Sequence, residues 1–405
     1  MNATTKTKIQ MPTLHKSQRQ VRQHPARFKV LDCGRRWGKT RLGVAMCIGA
    51  ALAGGRAWWI APSFPMSEVG WRGLKQLAQG IPRAETREVT RMIRFPSGGW
   101  AQVRSADHPD SLRGEGLDLV LLDECAFLQE DTWTRSLRPA LADRKGKGVF
   151  ISTPKGRNFF WRLWQKGQEG DPEWYSWKLP TADNPFIDPT EIASAQAILP
   201  ERIFRQEFLA DFIEEGAGVF RGIFSAATAV PQERAVEGHD YVIGCDWGRA
   251  EDYTVFAVVD LQEKALVHLD RSNRVEYALQ RGRLKALAEK FRPRFILAEA
   301  NAMGEPIIEQ LRRDGLPVKP FMTTNATKAA VIDGLALAFE REQIQILHDP
   351  VLLGELDGFT SERLPSGLFR YGAPSGLHDD TVIALALAWE QAFGGRKWRP
   401  EGMMV

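Results

Sequence analysis

The stretch Leu31–Thr40, LDCGRRWGKT, decides the fold. An apolar run over Phe28–Cys33 predicts a buried strand, Gly34 breaks it, and an apolar helical pattern begins at Leu42. Strand, glycine-bearing loop and helix are the setting of a phosphate-binding P-loop. Backbone N–H groups of such a loop, with the N-terminus of the following helix, can wrap a triphosphate. Lys39 is then the residue that reaches the β- and γ-phosphates, and the Thr40 hydroxyl holds Mg²⁺. Gly34, Arg35, Arg36 and Gly38 complete the loop. The usual pattern places its first glycine at position 33, where this chain has Cys33, with Gly34 one place later.

Outward from the loop, the next anchor is Leu117–Glu124, LDLVLLDE. Its apolar residues form a strand whose end presents Asp123 and Glu124. Adjacent carboxylates at the end of a buried strand are costly without a cation. In a P-loop ATPase the first holds the magnesium and the second activates the attacking water. A third strand, Val149–Ser152, ends in Ser152-Thr153-Pro154-Lys155-Gly156. Strands that alternate with helices predict a mainly parallel sheet with ligands at the strand carboxyl ends. The P-loop, the acid pair and Ser152–Thr153 are thereby expected around one nucleotide. Between these anchors the pattern predicts a strand at Ala57–Ala61, a helix over Ser67–Gln79, a hairpin of Met92–Phe95 with Trp100–Arg104, and a polar helix after Glu124.

The 405 residues suffice for two or three domains, and 43% hydrophobic content supports globular cores. No apolar run approaches membrane-spanning length and no signal peptide opens the chain, so a soluble, intracellular protein is expected. The four cysteines form no C-x-x-C pair and suggest neither zinc nor disulfides. Net charge is only +4, yet Lys6–Lys39 holds ten Lys/Arg and a single acid, Asp32, a balance suited to a polyanion.

From Tyr241 the pattern changes. Tyr241–Asp246, Thr254–Asp260 and Ala265–Arg271 read as a strand meander. Helix Val275–Phe291, strand Phe295–Glu299, helix Pro306–Arg313, a short strand near Val318 and helix Lys328–Arg341 follow, with a last helix from about Asp379 to Phe393. That order is the order of an RNase H-like domain. Asp246 and Glu299 end strands, and Asp379 and Asp380 open the last helix, where its dipole favours negative charge. Clustered, these carboxylates would hold two divalent ions roughly 4 Å apart, able to activate water and stabilise a leaving 3′-oxygen. Asp380 is preferred over Asp379 as the inner ligand, and Asp252, in a loop, is a weaker candidate. The fold class is therefore α/β: an N-terminal P-loop ATPase of ASCE type, then a C-terminal RNase H-like nuclease. The expected boundaries are 1–13 flexible and basic, 14–180 ATPase, 181–237 helical linker and hinge (with Glu214–Gly218 as the hinge), 238–394 nuclease, and 395–405 a short tail.

GRRWGKT (34–40), SLRGEGLDLVLLDECAF (111–127), STPKG (152–156), TADNPFI (181–187), DWGRAEDYT (246–254), AEANAMG (298–304) and HDDTVIALALA (378–388) together resemble the large subunit of tailed-bacteriophage terminases. The resemblance runs from about Leu14 to Phe393. It implies an ATPase that drives double-stranded DNA into a procapsid and a nuclease that cuts the concatemer. It implies ATP with Mg²⁺ in one site and two Mg²⁺ or Mn²⁺ in the other. Residue by residue, Gln18 matches the adenine-reading glutamine, and Ser152–Pro154 match a motif that senses the γ-phosphate. The implied partners are DNA, the portal protein and a small terminase subunit. The implied state is a monomer in solution and a ring, a pentamer, on the portal. The implied location is the host cytoplasm during assembly, and not the mature virion. For the arginine finger, Arg113 in SLRGEG could serve a neighbouring subunit or merely pair with Asp110 or Glu115, and Arg35 and Arg36 could act within one chain. A repair helicase–nuclease is the competing reading, but it requires a second motor domain. A DNA-binding assembly protein with decayed sites is opposed by intact Lys39, Glu124 and Asp246.

Overall fold

The computed structural model describes residues 9–213, 218–248, 252–301, 304–364, 369–374 and 376–393. It divides into two compact units, one of residues 1–197 with 202–214, the other of 198–201 with 215–405. The stretch 181–237 is thus shared between the units, its helix Glu201–Phe208 falling mostly in the first. Positions 214–217 of the expected hinge and the expected tail lie outside the described residues. Among the described residues no helix is long and apolar enough to cross a membrane.

The first unit is built on eight strands: β1 Phe28–Cys33, β2 Arg56–Ala61, β3 Glu85–Arg87, β4 Met92–Arg94, β5 Trp100–Ser105, β6 Leu119–Leu122, β7 Lys147–Ser152 and β8 Trp174–Leu179. Their order is β3-β4-β5-β2-β6-β7-β1-β8. From β5 to β8 all pairings are parallel, and β3 and β4 extend the sheet as an antiparallel edge. β1 and β6 are buried along their whole length, as expected of parallel strands covered on both faces. β7 stands between P-loop strand β1 and acid strand β6, as the ASCE type requires. One face packs on helices Lys39–Leu52 and Phe64–Gln79, and the other on helix Phe159–Lys166. Ile9 and Met11, within the stretch expected to be flexible, rest against the first of these cores.

Three local expectations need correction. The second helix starts at Phe64, not Ser67, because Ser63 caps it and Pro65 suits its first turn. The segment after Glu124 is not one polar helix. It is a 3₁₀ turn at Cys125–Phe127 and a π-helix at Thr132–Leu137 that runs into Arg138–Ala140. β8 and helix Phe159–Lys166 are additions to the expected elements.

The second unit holds a five-stranded sheet of β9 Tyr241–Asp246, β10 Tyr253–Asp260, β11 Ala265–Asn273, β12 Phe295–Glu299 and β13 Val318–Phe321. The order is β11-β10-β9-β12-β13, with the meander antiparallel and β9, β12 and β13 parallel. This is the RNase H-like order. Helix Asp380–Phe393, buried from Asp380 to Trp389, lies directly on the sheet. A Cβ at Gly244 of β9 would sit 2.0 Å from the Ala384 carbonyl oxygen and 2.5 Å from the Ala388 nitrogen. Only glycine beneath a helix of small residues allows that approach, which brings the helix's N-terminus to the end of β9. The helix Pro350–Gly358 and the hairpin β14 Thr360–Arg363 and β15 Phe369–Gly372 are further additions.

Candidate active sites

The P-loop joins β1 to helix Lys39–Leu52. Cys33 is the last, fully buried residue of β1, so the loop proper begins at Gly34. A Cβ at Gly34 would lie 2.6 Å from the Phe208 carbonyl oxygen and from the Thr181 nitrogen and hydroxyl. The glycine is needed at 34, where β8's exit and helix Glu201–Phe208 press on the loop.

The three motifs converge as expected. Lys39 Nζ lies 3.9 Å from Glu124 Oε1. The Ser152 hydroxyl donates to Glu124 Oε2 at 3.3 Å and accepts from the Ala126 N–H at 3.2 Å. Thr153 is buried beside it. Asp123 accepts the Glu124 N–H at 3.1 Å. Burial, then the Glu124 charge, pushes the Asp123 carboxyl up to about 7 against the pull of Lys39. Glu124 has a φ of 45°. For a non-glycine residue that left-handed conformation costs about 1–2 kcal/mol. It sits where strand β6 must turn at once to present its acid.

A cavity of about 460 Å³ opens beside the loop, lined among others by Gln18, Arg36, Lys39, Thr40 and Phe186. Its size and its Lys39–Thr40 floor fit a nucleoside triphosphate. Gln18 is buried, with its amide nitrogen donating to the Gly38 carbonyl at 3.0 Å and its oxygen accepting the His15 N–H at 3.0 Å. One N–H and one lone pair remain for a base. The buried Lys29 ammonium holds the helix that carries Gln18, donating to the Val21 carbonyl at 2.8 Å, and desolvation lowers its pKa to about 8. Arg35 is engaged elsewhere: its guanidinium pairs with buried Glu207 and its N–H donates to the Glu207 carbonyl. Arg36 is exposed and lines the cavity. Arg113 is exposed and pairs with Asp110 at 3.0 Å, while Glu115 pairs with Arg56. Thr181, Asn184 and Glu207, which grip the loop, were missed as site residues. The TADNP motif was the signal for Thr181 and Asn184; Glu207, in helix Glu201–Phe208, had none.

In the second unit, Asp246 and Glu299 end the neighbouring parallel strands β9 and β12. Asp380 begins the helix laid across them. Burial pushes the Asp246 carboxyl well above the usual range, with the charges of Glu299 and Asp380, a hydrogen bond to Glu299 and the Asp379 charge adding to it. Asp380 is pushed up to about 6 by burial; the Tyr253 N–H, 3.3 Å away, opposes this, and the charges of Glu355 and Asp379 reinforce it. Asp379 differs, pairing with Lys328 at 2.9 Å. His378 lies 3.6 Å from Asp380 and edge-on to the Tyr253 ring. Asp252 is exposed, just ahead of β10. Among the described residues no three acids, histidines or cysteines are already closed to metal-ligand geometry. A buried Asp246 carboxyl crowded by Glu299 and Asp380 is nevertheless what hard divalent cations relieve, and an all-oxygen set fits Mg²⁺ or Mn²⁺. Glu355, missed from the sequence, accepts the Thr381 N–H at 2.8 Å and so anchors the turn that carries Asp380.

Two family models match the chain: "Terminase large subunit, T4likevirus-type, N-terminal" over residues 31–224 and "Terminase RNaseH-like domain" over residues 243–391. The terminase large subunit of Thermus virus P23-45 is 30% identical over 94% of this chain and 88% of its own length. The chain belongs to the phage terminase large subunits. A second member of that family, from Thermus phage G20c, is likewise 30% identical over 94% of this chain and 88% of its own length. The solved large terminase of another thermophilic bacteriophage shares the fold across 94% of this chain and 99% of its own, with a TM-score of 0.55 at 14% identity. As a terminase large subunit the chain is an ATPase and a metal-dependent endonuclease that packages and cuts viral DNA, and its cofactors are ATP and divalent metal ions. Its partners are DNA and the packaging machinery. The match over both halves leaves the helicase–nuclease alternative without support.

Proposed function

We propose the following division of labour within this terminase large subunit. Residues 14–180 are the ATPase domain, 238–394 the nuclease domain, and 181–237 the connection. Lys39 binds the β- and γ-phosphates, Thr40 and Asp123 hold magnesium, and Glu124 directs the attacking water. Gln18 reads adenine with the half of its amide left over from Gly38 and His15. Ser152, hydrogen-bonded to Glu124, passes the state of the γ-phosphate to the Thr153–Pro154 turn. Arg113 supplies the transition-state cation to a neighbouring subunit, breaking its pair with Asp110. Arg36 is the cation within the chain.

Asp246, Glu299 and Asp380 are the inner metal ligands, with Asp379 and Asp252 outside them. Bound ions there supply water activation and stabilisation of the leaving 3′-oxygen. The observation that carries this reading is the convergence of Lys39, Glu124 and Ser152 in one unit and of Asp246, Glu299 and Asp380 in the other. In the cell the chain works in the host cytoplasm during assembly and is absent from the mature virion. It is a monomer in solution, forms a pentameric ring on the portal, and receives DNA from a small subunit. The test is packaging: portal-bearing procapsids, linear DNA, ATP and the purified chain should give nuclease-protected DNA. Protection that is independent of ATP, or of the portal, would contradict it.

A further inference from the structure

We propose that Phe186 is the face on which the nucleotide's base stacks, and that Asn184 positions it. The inference rests on the reading of the P-loop cavity as the ATP site. It concerns TADNPFI, whose Thr181 and Asn184 grip the P-loop and whose Phe186 has had no role so far. A single exposed phenylalanine is ordinary on a protein surface. Phe186 is 69% exposed, yet it lines the wall of the cavity that Lys39 and Thr40 floor. Its placement is fixed from the P-loop itself.

The Asn184 side chain is nearly buried and works in two directions. Its Nδ2 donates to the Arg36 carbonyl at 2.7 Å, and its Oδ1 accepts the Phe186 N–H at 3.1 Å. At the start of the motif, the Thr181 hydroxyl donates to the Arg35 carbonyl at 2.7 Å, and the Asn184 N–H donates to the Thr181 carbonyl at 3.0 Å. The segment is therefore a bracket riveted to two successive P-loop carbonyls, with Pro185 stiffening it just before the ring. A bracket that served only to hold the loop could end at Asn184. This one goes on to hold an aromatic ring and Ile187 at the cavity wall. The ligand chemistry it suits is a flat, apolar base face, with the phosphates at Lys39. A phenyl ring accepts any base, so stacking adds affinity without choice. Choice of base falls to Gln18, whose remaining N–H and lone pair can pair with an adenine edge as glutamine does elsewhere.

The experiment measures binding of ATP and of inorganic tripolyphosphate, which has no base, to the full chain in a Glu124→Gln background. Removing a base-stacking aromatic weakens binding by roughly tenfold. Phe186→Ala should lose about that factor for ATP and none for tripolyphosphate. Phe186→Trp should restore it. In the otherwise wild-type chain Phe186→Ala should raise KM by the same factor at unchanged kcat. Asn184→Asp keeps the acceptor for Phe186 N–H but loses the donor to the Arg36 carbonyl and adds a charge beside the phosphate loop, so it should weaken ATP and tripolyphosphate together, unlike Phe186→Ala. Unchanged ATP affinity in Phe186→Ala, or equal losses for both ligands in that variant, would overturn the proposal. Lys39→Ala separates this from failure of the cavity reading: if it binds both ligands as well as the parent does, the ATP site itself is misplaced.

Discussion

The two acidic sites solve the same electrostatic problem differently. In the ATPase unit the acid pair is met by a protein cation, Lys39, 3.9 Å from Glu124. In the nuclease unit, among the described residues, the nearby cations go to the rim: Lys328 to Asp379 and Arg271 to Glu355. Asp246 lies against Glu299 and Asp380, and Asp380 is met by the Tyr253 N–H and by His378, 3.6 Å away, rather than by a lysine or arginine among the described residues. The first site carries part of its positive charge within the chain, whereas the second depends on ions from solution. Burying carboxylates against each other is unfavourable until a metal arrives, so the nuclease should be the half whose stability, pH response and ligand affinity move together.

The largest expected effect distinguishes the two adjacent aspartates. Asp380→Asn should reduce plasmid cleavage by at least about 10³-fold, as loss of a metal ligand does, and Asp379→Asn by about tenfold or less. Equal losses would erase the difference between a buried ligand and a lysine-paired rim acid. Cleavage should need Mg²⁺ or Mn²⁺ and fail in Ca²⁺, whose looser coordination does not fix the in-line geometry.

The ATPase site invites a matching test of its missing cation. Arg113→Ala should lower ATP turnover by about 10³-fold. Mixed with Lys39→Ala under ring-forming conditions it should recover activity, each variant supplying what the other lacks. Full activity of Arg113→Ala alone would return the role to Arg36.

A smaller effect follows from Asp380, pushed up to about 6. An unfolded chain ionises this group near the usual carboxylate pKa of about 3.9. As pH rises from there to 6 the folded state holds the extra proton, so the metal-free fold loses stability across that window and does not regain it above. Metal must displace this proton and the one that burial favours on Asp246, so Mn²⁺ affinity should climb by at least about tenfold per unit over pH 5–6. A flat profile would break the link between burial and metal demand. The smallest effect is thermal: without metal at pH 7.5, Asp380→Asn should melt about 2–4 °C above the parent, the scale of 1 kcal/mol in a domain of this size. A lower melting point would mean the carboxylate is not a burden there.

Most of the fold was legible because its strands are short apolar runs that each end in chemistry. Leu31–Cys33 runs into the P-loop, Leu119–Leu122 into Asp123, and Tyr241–Cys245 into Asp246. What the sequence concealed lies where tertiary partners override local signals. β8 mixes buried Trp174, Ser176 and Leu179 with exposed Tyr175 and Lys178 and does not keep a strict alternation, at its place on the edge of the sheet. Asp379 and Asp380 are indistinguishable by type, and the helix packed on Gly244 separates them. Arg35 reads as a phosphate or finger arginine until Glu207, 172 residues away, is found holding it. Glu355 lies on a helix that the sequence did not announce, 26 residues from the Thr381 it holds.

The central claim is that the two chemistries reside in separate units with separate acids. ATP turnover and supercoiled-plasmid cleavage measured side by side on Glu124→Gln and Asp246→Asn test it most directly. Glu124→Gln should lose ATP turnover while still binding ATP, and should cut plasmid in Mn²⁺ as the parent does. Asp246→Asn should lose cleavage and keep its ATPase. Loss of both activities in either correctly folded variant would contradict the account.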